Sequence, residues 1–348
     1  MTAHLRANLC LLVLTVILCC VLYPLVLWGI GKTAFPEQSE GSLIEDAKGQ
    51  TIGSRLIAQP FTADEYFQPR PSAASYNATA SSPSNLAASN YALRDRVARQ
   101  LGPIAKYAGG QKKGQLVAPD IESWFQQDRY QNEPGIVAQW VKLHTSAAQN
   151  WLKGWVTGDK LNAEYMADWE KAHPQDVADW QKDNPDPAEP KPEDLAAGLA
   201  VPFFSEWSKQ HPGTFPGTVE HKTADGKTEK RIEPVKEGAD IQSGFFDMWR
   251  DMNPDVSLQD VPADMLTTSG SGLDPHITLS NALWQLDRVA PAWAKKTSGD
   301  EATIRREIKQ LLHQKSVAPL GGLVGVDLVN VLEINLALQE QYQKTAGK

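Results

Sequence analysis

The sequence predicts an α+β protein: a single N-terminal transmembrane helix, then an α+β domain interrupted by a mainly helical insertion. Three observations carry this. Residues 9–30 (LCLLVLTVILCCVLYPLVLWGI) hold no charge. Short apolar runs bounded by Gly and Pro alternate with helix-period segments in residues 31–103 and 258–348. Between them, residues 104–257 concentrate eight of the eleven tryptophans.

The apolar run follows a short flank, residues 1–8. At ~1.5 Å per residue its 22 residues reach roughly 33 Å, enough for a hydrocarbon core of about 30 Å. Fourteen of them are Leu, Val or Ile. A cleaved signal has a shorter apolar region and a small-x-small site. Gly31-Lys32-Thr33-Ala34-Phe35-Pro36 offers none, and Cys19 follows Leu18 where a lipoprotein signal wants small residues. The run therefore reads as a retained span, kinked at Pro24, whose freed carbonyl needs a partner helix. Arg6 and the α-amine on one flank balance Lys32 and Lys48 on the other, so charge bias leaves the orientation open.

Net charge is −8, which argues against nucleic acid and against a polybasic membrane patch. All three cysteines (Cys10, Cys19, Cys20) lie within the span, leaving the rest of the chain without a disulfide or a Cys metal site.

Residues 41–44 and 53–61 read as strands or extended segments. Tyr66 to Asn90 is rich in Ser, Ala and Pro but carries Tyr and Phe, so it reads as an ordered irregular loop packed by its aromatics. Ser89 or Asn90 caps a helix from Tyr91 to Leu101 with Leu93, Val97 and Leu101 on one face. In the Trp-rich block, Trp-x-x-x-(His/Asn)-Pro occurs at Trp169, Trp180, Trp207 and Trp249. It reads as a helix whose end is set by proline, with Phe203-Phe204 and Phe245-Phe246 extending one aromatic face. Asp183–Pro192 reads as a linker and 218–232 as a hairpin turning at Asp225-Gly226. Beyond it, 261–267 reads as a strand and 269–278 as a loop. Helices follow near 279–294 and 301–314, then a strand from Leu323 running to Ile334 and a last helix from Asn335 to Gln343.

Four blocks, in order, resemble the C subunit of the Kdp-type potassium-transporting P-type ATPase. They are Tyr23-Pro24-Leu25; 41–44 with 53–61; 66–73 with 84–90; and 261–277, centred on SGSGLDPHI, closing with 329–338. The resemblance implies a non-catalytic accessory subunit of a bacterial inner-membrane pump, single-pass, with its soluble domain extracytoplasmic (periplasmic). Its partners would be an ATP-hydrolysing P-type subunit, a channel-like potassium subunit, a small single-span subunit and membrane lipid. The family is described as a catalytic chaperone raising the hydrolysing subunit's affinity for ATP, which links ATP-binding and nucleotide-binding to the complex. No cofactor is expected on this chain itself, since K⁺ and ATP-Mg belong to the whole assembly. Typical members have a short connection where residues 104–257 stand here.

Motifs for chemistry are weak. Gly31-Lys32-Thr33 lacks the earlier phosphate-loop glycine, which would fall at Val26. Asp225-Gly226-Lys227-Thr228 reads as a turn, not a phosphorylated aspartate. A serine-hydrolase elbow needs glycine at 269, which is Ser269. The seven histidines show no metal-ligand spacing, and His173 and His211 read as helix ends. No catalytic or metal residue is expected. The expected partner interface is Tyr23, Pro24, Arg70, Pro71, Ser269, Gly270, Ser271, Gly272, Asp274 and His276. Small residues at 269–272 permit close backbone approach. Asp274 either draws K⁺ towards an entrance or caps the next segment. Arg70 either meets a partner's carboxylate or is solvated. A different reading makes the tryptophan face a sugar-stacking surface, and the chain a membrane-anchored envelope polysaccharide-binding module. Large aromatics that fill the core of small helical units are the plainer account.

Overall fold

In a computed structural model the chain forms two compact units, Met1–Ser84 with Pro262–Lys348, and Asn85–Val261. The structure describes residues 2–45, 49–186, 189–223 and 225–346. Lys48 of the charge comparison, Pro187 and Ala188 of the expected linker and Ala224 of the hairpin turn lie outside the described residues.

The first unit opens on a helical run, Thr2–Val16, Ile17–Leu22 and Tyr23–Ala34. Within the helix His4–Ala34 an 18-residue window reaches a mean hydropathy of 2.9; the helix is long and apolar enough to cross a membrane, and that window is not buried within the protein. Proline at position 24 has no N–H, and its ring crowds the carbonyl four residues back. The helix answers with a π turn over Ile17–Leu22, where the Tyr23 N–H bonds the Leu18 carbonyl, five residues back. The strain expected at Pro24 is thus absorbed one turn earlier. Lys32 pairs with Glu40 at 2.7 Å, and Glu37 pairs with Arg55, tying the helix end to the next hairpin.

That hairpin pairs Leu43–Glu45 with Thr51–Ser54 antiparallel, Leu43 opposite Ser54. Residues 55–61 leave the sheet, so the second extended run is shorter than the apolar pattern predicts. A second pair joins His276–Thr278 to Leu328–Asn330. Helices Leu279–Thr297, Glu301–Lys315 and Val331–Ala346 pack with Phe67 around one core. Leu286, Val289, Ile304, Ile308 and Leu312 are buried, as the helical period predicts. Trp293 is fully buried, with Tyr342 at 5.2 Å and the edge of Tyr66 at 6.4 Å.

Two expectations fail here. Residues 261–267 are not a strand but a short helix, Ala263–Leu266. Asp264 sits in its first turn and accepts from the Thr278 N–H at 2.8 Å, which draws the segment into a cap rather than a ladder. The last strand covers only Leu328–Asn330, and the final helix starts at Val331, four residues before Asn335. Gly321, Gly322 and Gly325 adopt positive φ and break the alternating run. Asn330 then accepts from the Glu333 N–H at 3.2 Å, an N-cap that starts the helix early.

The irregular segment after Tyr66 is ordered by side-chain amides. Asn335, 1% exposed, accepts the Phe67 N–H at 2.8 Å and donates to the Phe67 carbonyl at 2.9 Å. Gln285 does the same for Gln68, at 2.7 and 2.9 Å. Each amide satisfies one residue's backbone as a neighbouring strand would. Gln285 also donates to Asn281, which donates to Asp264.

In the second unit, Asn90 caps helix Tyr91–Leu101 by accepting the Ala92 N–H. The core joins Trp140, Phe125, Phe203, Phe204, Phe215 and Phe245, with Trp140 edge-on to Phe204 at 5.2 Å. The four Trp-x-x-x-(His/Asn)-Pro copies end helices in one shared backbone state. His173 has φ −123°, ψ 55°; Asn184 −129°, 69°; His211 −134°, 67°; and Asn253 −128°, 57°. Proline forbids the next helical step. His173, Asn184 and Asn253 also bond the carbonyl of their own tryptophan at 2.8–2.9 Å. Trp140 with His144 (φ −126°, ψ 46°) is a fifth copy, hidden in the sequence because threonine replaces the proline. The hairpin pairs Phe215–Lys222 with Thr228–Val235, longer at both ends than 218–232.

Replacing Asn335 by Ala strands two buried backbone groups at Phe67, so it should cost about 2–4 kcal/mol. Hydrogen exchange should show protection at the Phe67 amide falling by that amount, while helix Glu301–Lys315 loses less. Trp140→Ala should destabilise the second unit by about 3–5 kcal/mol, measured by urea unfolding of the purified chain.

Candidate functional site

Ser269 to His276 forms a loop on the first unit, laid against residues 70–82. The chain crosses over itself here and satisfies the loop's backbone from within. Ser269 N–H donates to the Pro71 carbonyl at 3.3 Å. The Ser271 carbonyl accepts from the Ser82 N–H at 3.0 Å and the Ser81 hydroxyl at 2.9 Å. Ser72 donates to the Gly272 carbonyl at 2.6 Å, and Ala58 N–H donates to that of Leu273 at 2.8 Å.

The two glycines differ in kind. Gly272 has φ +70°, and a Cβ there would fall 2.8 Å from the Ser82 carbonyl oxygen and 2.9 Å from the Ala74 methyl. It is glycine because of its own chain. Gly270 is exposed, with nothing within 4 Å of a Cβ built on it. Ser269 is buried and Ser271 exposed.

Arg70 turns inward. Its Nη2 donates to the Thr268 carbonyl at 3.1 Å, and Nη1 lies 4.0 Å from Asp274. Pro71 is half-buried, and Tyr76 donates to the Arg70 carbonyl at 2.9 Å. Burial pushes the Tyr76 hydroxyl above the ordinary tyrosine range. Asp274 accepts from the His276 backbone N–H at 3.0 Å and its Nδ1 lies at 3.1 Å from the same oxygen. The His276 side chain chiefly holds the Asp274 carboxyl below its usual value; partial burial opposes this, and the His276 N–H and Arg70 assist. Asp274 thus caps the turn into strand His276–Thr278. Tyr23 and Pro24 stand apart, in the apolar helix, with Tyr23 exposed. The structure therefore joins eight of the ten expected interface residues in one patch and leaves two in the apolar helix.

Sequence reasoning missed the buried polar set beneath this patch: Asp264, Asn281, Gln285 and Asn335. The available signal was Asn335, a polar residue inside the apolar run 329–338. Among the described residues no group of three His, Cys, Asp or Glu side chains converges as a metal site.

An apolar helix long enough to span, an α+β unit folded through residues from both ends of the chain, and a self-satisfied loop fit a membrane-associated class of protein. The family model for "K+-transporting ATPase, c chain" matches residues 5–121 and 236–340, and the chain belongs to that family. A Potassium-transporting ATPase KdpC subunit of Pseudomonas entomophila is 50% identical over 97 residues, covering 28% of this chain and 52% of the relative. That of Pseudomonas aeruginosa is 50% identical over 99 residues, 28% and 54%. That of Pseudomonas syringae pv. tomato is 47% identical over 110 residues, 32% and 58%. The aligned part thus spans about half the length of the curated relatives it matches. Residues 122–235 fall outside the family match.

The depressed carboxyl of Asp274 adds stability above its ordinary value near 3.8. That increment is lost as pH falls through the folded-state value. Asp274→Asn should therefore flatten the acid limb of unfolding below about pH 4. The effect should be small, because the side chain is 39% exposed.

Proposed function

We propose that this chain is a non-catalytic accessory and assembly subunit of a high-affinity, ATP-driven potassium uptake complex. The observation that carries the reading is the family match across both ends of the chain, coinciding with the loop Ser269–His276 and the helix His4–Ala34. Its partners are an ATP-hydrolysing P-type subunit, a channel-like potassium subunit and a small single-span subunit in a bacterial inner membrane. The helix crosses once, and the folded units lie on the periplasmic side. Tyr23 and Pro24 meet partner helices, and the patch of Arg70, Pro71, Ser269–Gly272, Asp274 and His276 meets a partner's outer surface. Any rise in the hydrolysing subunit's ATP affinity is then exerted through contact across the membrane, with K⁺ and ATP-Mg held by the other subunits.

The polysaccharide-binding alternative draws little support from the aromatic residues. Trp140, Trp207 and Trp249 are at most 5% exposed, and Trp124, Trp151, Trp155, Trp169 and Trp180 pack against the same core.

A tagged full-length chain, solubilised from cells that express the transporter, should bring down both large subunits; recovery of the chain alone overturns the proposal. Two glycine variants localise the contact. Gly270→Trp should leave stability within about 0.5 kcal/mol, since the position is open, yet cut co-purification several-fold. Gly272→Ala should instead destabilise the first unit by about 1–3 kcal/mol through its strained φ and the collision at Ser82.

A further inference from the structure

The loop between helix Glu301–Lys315 and strand Leu328–Asn330 turns large apolar side chains outward. Val317 is 67% exposed, Leu320 76%, Leu323 86%, and Val324 and Val326 60% each. Apolar residues scattered singly on a surface are ordinary, but five within ten residues are not. No charged residue interrupts 316–326; Lys315 and Asp327 bracket the stretch. Leu320, Gly321, Gly322 and Gly325 take left-handed backbone, which keeps the segment turning and prevents it from running as a strand.

The root of this loop is linked to the end of the apolar helix. Asn330, three residues past Asp327, donates to the Arg55 carbonyl at 2.9 Å, and Glu333 pairs with Arg55 at 2.7 Å. Arg55 pairs with Glu37, three residues beyond the helix end at Ala34. Val326 is four residues from Asn330, so it lies within about 14 Å of it, and Leu323 within about 25 Å. Near the helix end Trp28 is exposed, a residue type suited to the headgroup level, and Phe35 just past the end is exposed as well. On the other side of the loop, the last turns of helix Glu301–Lys315 expose Lys309, His313 and Lys315. An uncharged apolar tip with Lys309, His313 and Lys315 on one side and a single acid, Asp327, on the other, rooted near the end of the apolar helix, matches the chemistry of an anionic bilayer surface.

We propose that residues 317–326 dip into the lipid headgroup and upper acyl region beside the span, with Lys309 and Lys315 on lipid phosphates. The loop is thus a second, shallow membrane contact that fixes the first unit against the bilayer. The proposal rests on the helix crossing the membrane, and its test separates the two.

Full-length chain carrying Cys10→Ala, Cys19→Ala and Cys20→Ala is spin-labelled at Leu323→Cys, in nanodiscs of phosphatidylethanolamine with a minority of phosphatidylglycerol. Collision with oxygen, which concentrates in lipid, is compared with collision with a water-soluble nickel chelate. A label at Ser81→Cys serves as the aqueous reference and one at Leu14→Cys as the lipid reference. The oxygen-to-nickel ratio at 323 should be several-fold above that at 81, and a neighbouring Val324→Asp should return it to the aqueous value. Replacing phosphatidylglycerol with phosphatidylcholine should lower the ratio; an unchanged ratio overturns the role given to the lysines. A 323 label as nickel-accessible as that at 81 overturns the loop contact, as does one shielded from both reagents, which would mean protein covers it. An aqueous reading at Leu14 overturns the spanning helix and the loop contact with it.

Discussion

The first unit depends on two buried side-chain amides that stand in for a missing strand. Residues 66–82 have no sheet partner, yet Phe67 must enter the core, and its peptide groups enter with it. A buried unpaired N–H or C=O costs about 1–3 kcal/mol. Asn335 and Gln285 remove that cost at two consecutive residues, each donating and accepting. Once this anchor is set, residues 70–82 run beside the loop 269–274 and supply its hydrogen bonds. The exposed patch is thus positioned by polar groups in the core, from helices distant in the sequence.

The segment outside the family match has a simple geometric logic. Glu122, its first residue, accepts from the Gly238 N–H at 2.8 Å and from the Gln242 side chain at 2.7 Å. Its ends therefore nearly meet, as an insertion into a surface connection requires. Yet its core is shared. Ile121 on one flank and Phe245, Phe246 and Trp249 on the other are family-matched positions buried among aromatics of the unmatched segment. The compact unit accordingly begins at Asn85 and closes at Val261, wider than the unmatched segment. Small helical units need large side chains to bury enough area, which accounts for the density of tryptophan.

Much of this was legible in the sequence because it is local. Helix Tyr91–Leu101 and its Asn90 cap follow from capping chemistry, and the inward faces of 279–297 and 301–315 follow from period. Proline after His or Asn marked four helix ends, while His144, with threonine next, escaped. The errors lie where distant groups decide. Residues 263–266 are helical because Asp264 answers Thr278, and 323–326 are not a strand because glycines with positive φ intervene. The candidate patch was legible as a run of small residues. The inward course of Arg70 was not, since its acceptor at Thr268 is brought there only by folding.

That inward course constrains how the patch can act. The carbonyls of Pro71, Ser271, Gly272 and Leu273 each accept a bond from this chain, and Asp274 is engaged by His276 and faces Arg70. If the patch meets a partner as proposed, a surface whose polar groups are so committed would recognise it mainly by shape, with few groups to reorganise on contact. Such binding would cost little ordering entropy, because the loop is already held in one conformation. It also makes steric bulk, more than charge, the sensitive variable at Gly270. A loop that awaited a ligand for its hydrogen bonds would respond the other way, tolerating bulk and failing when a single polar group was lost.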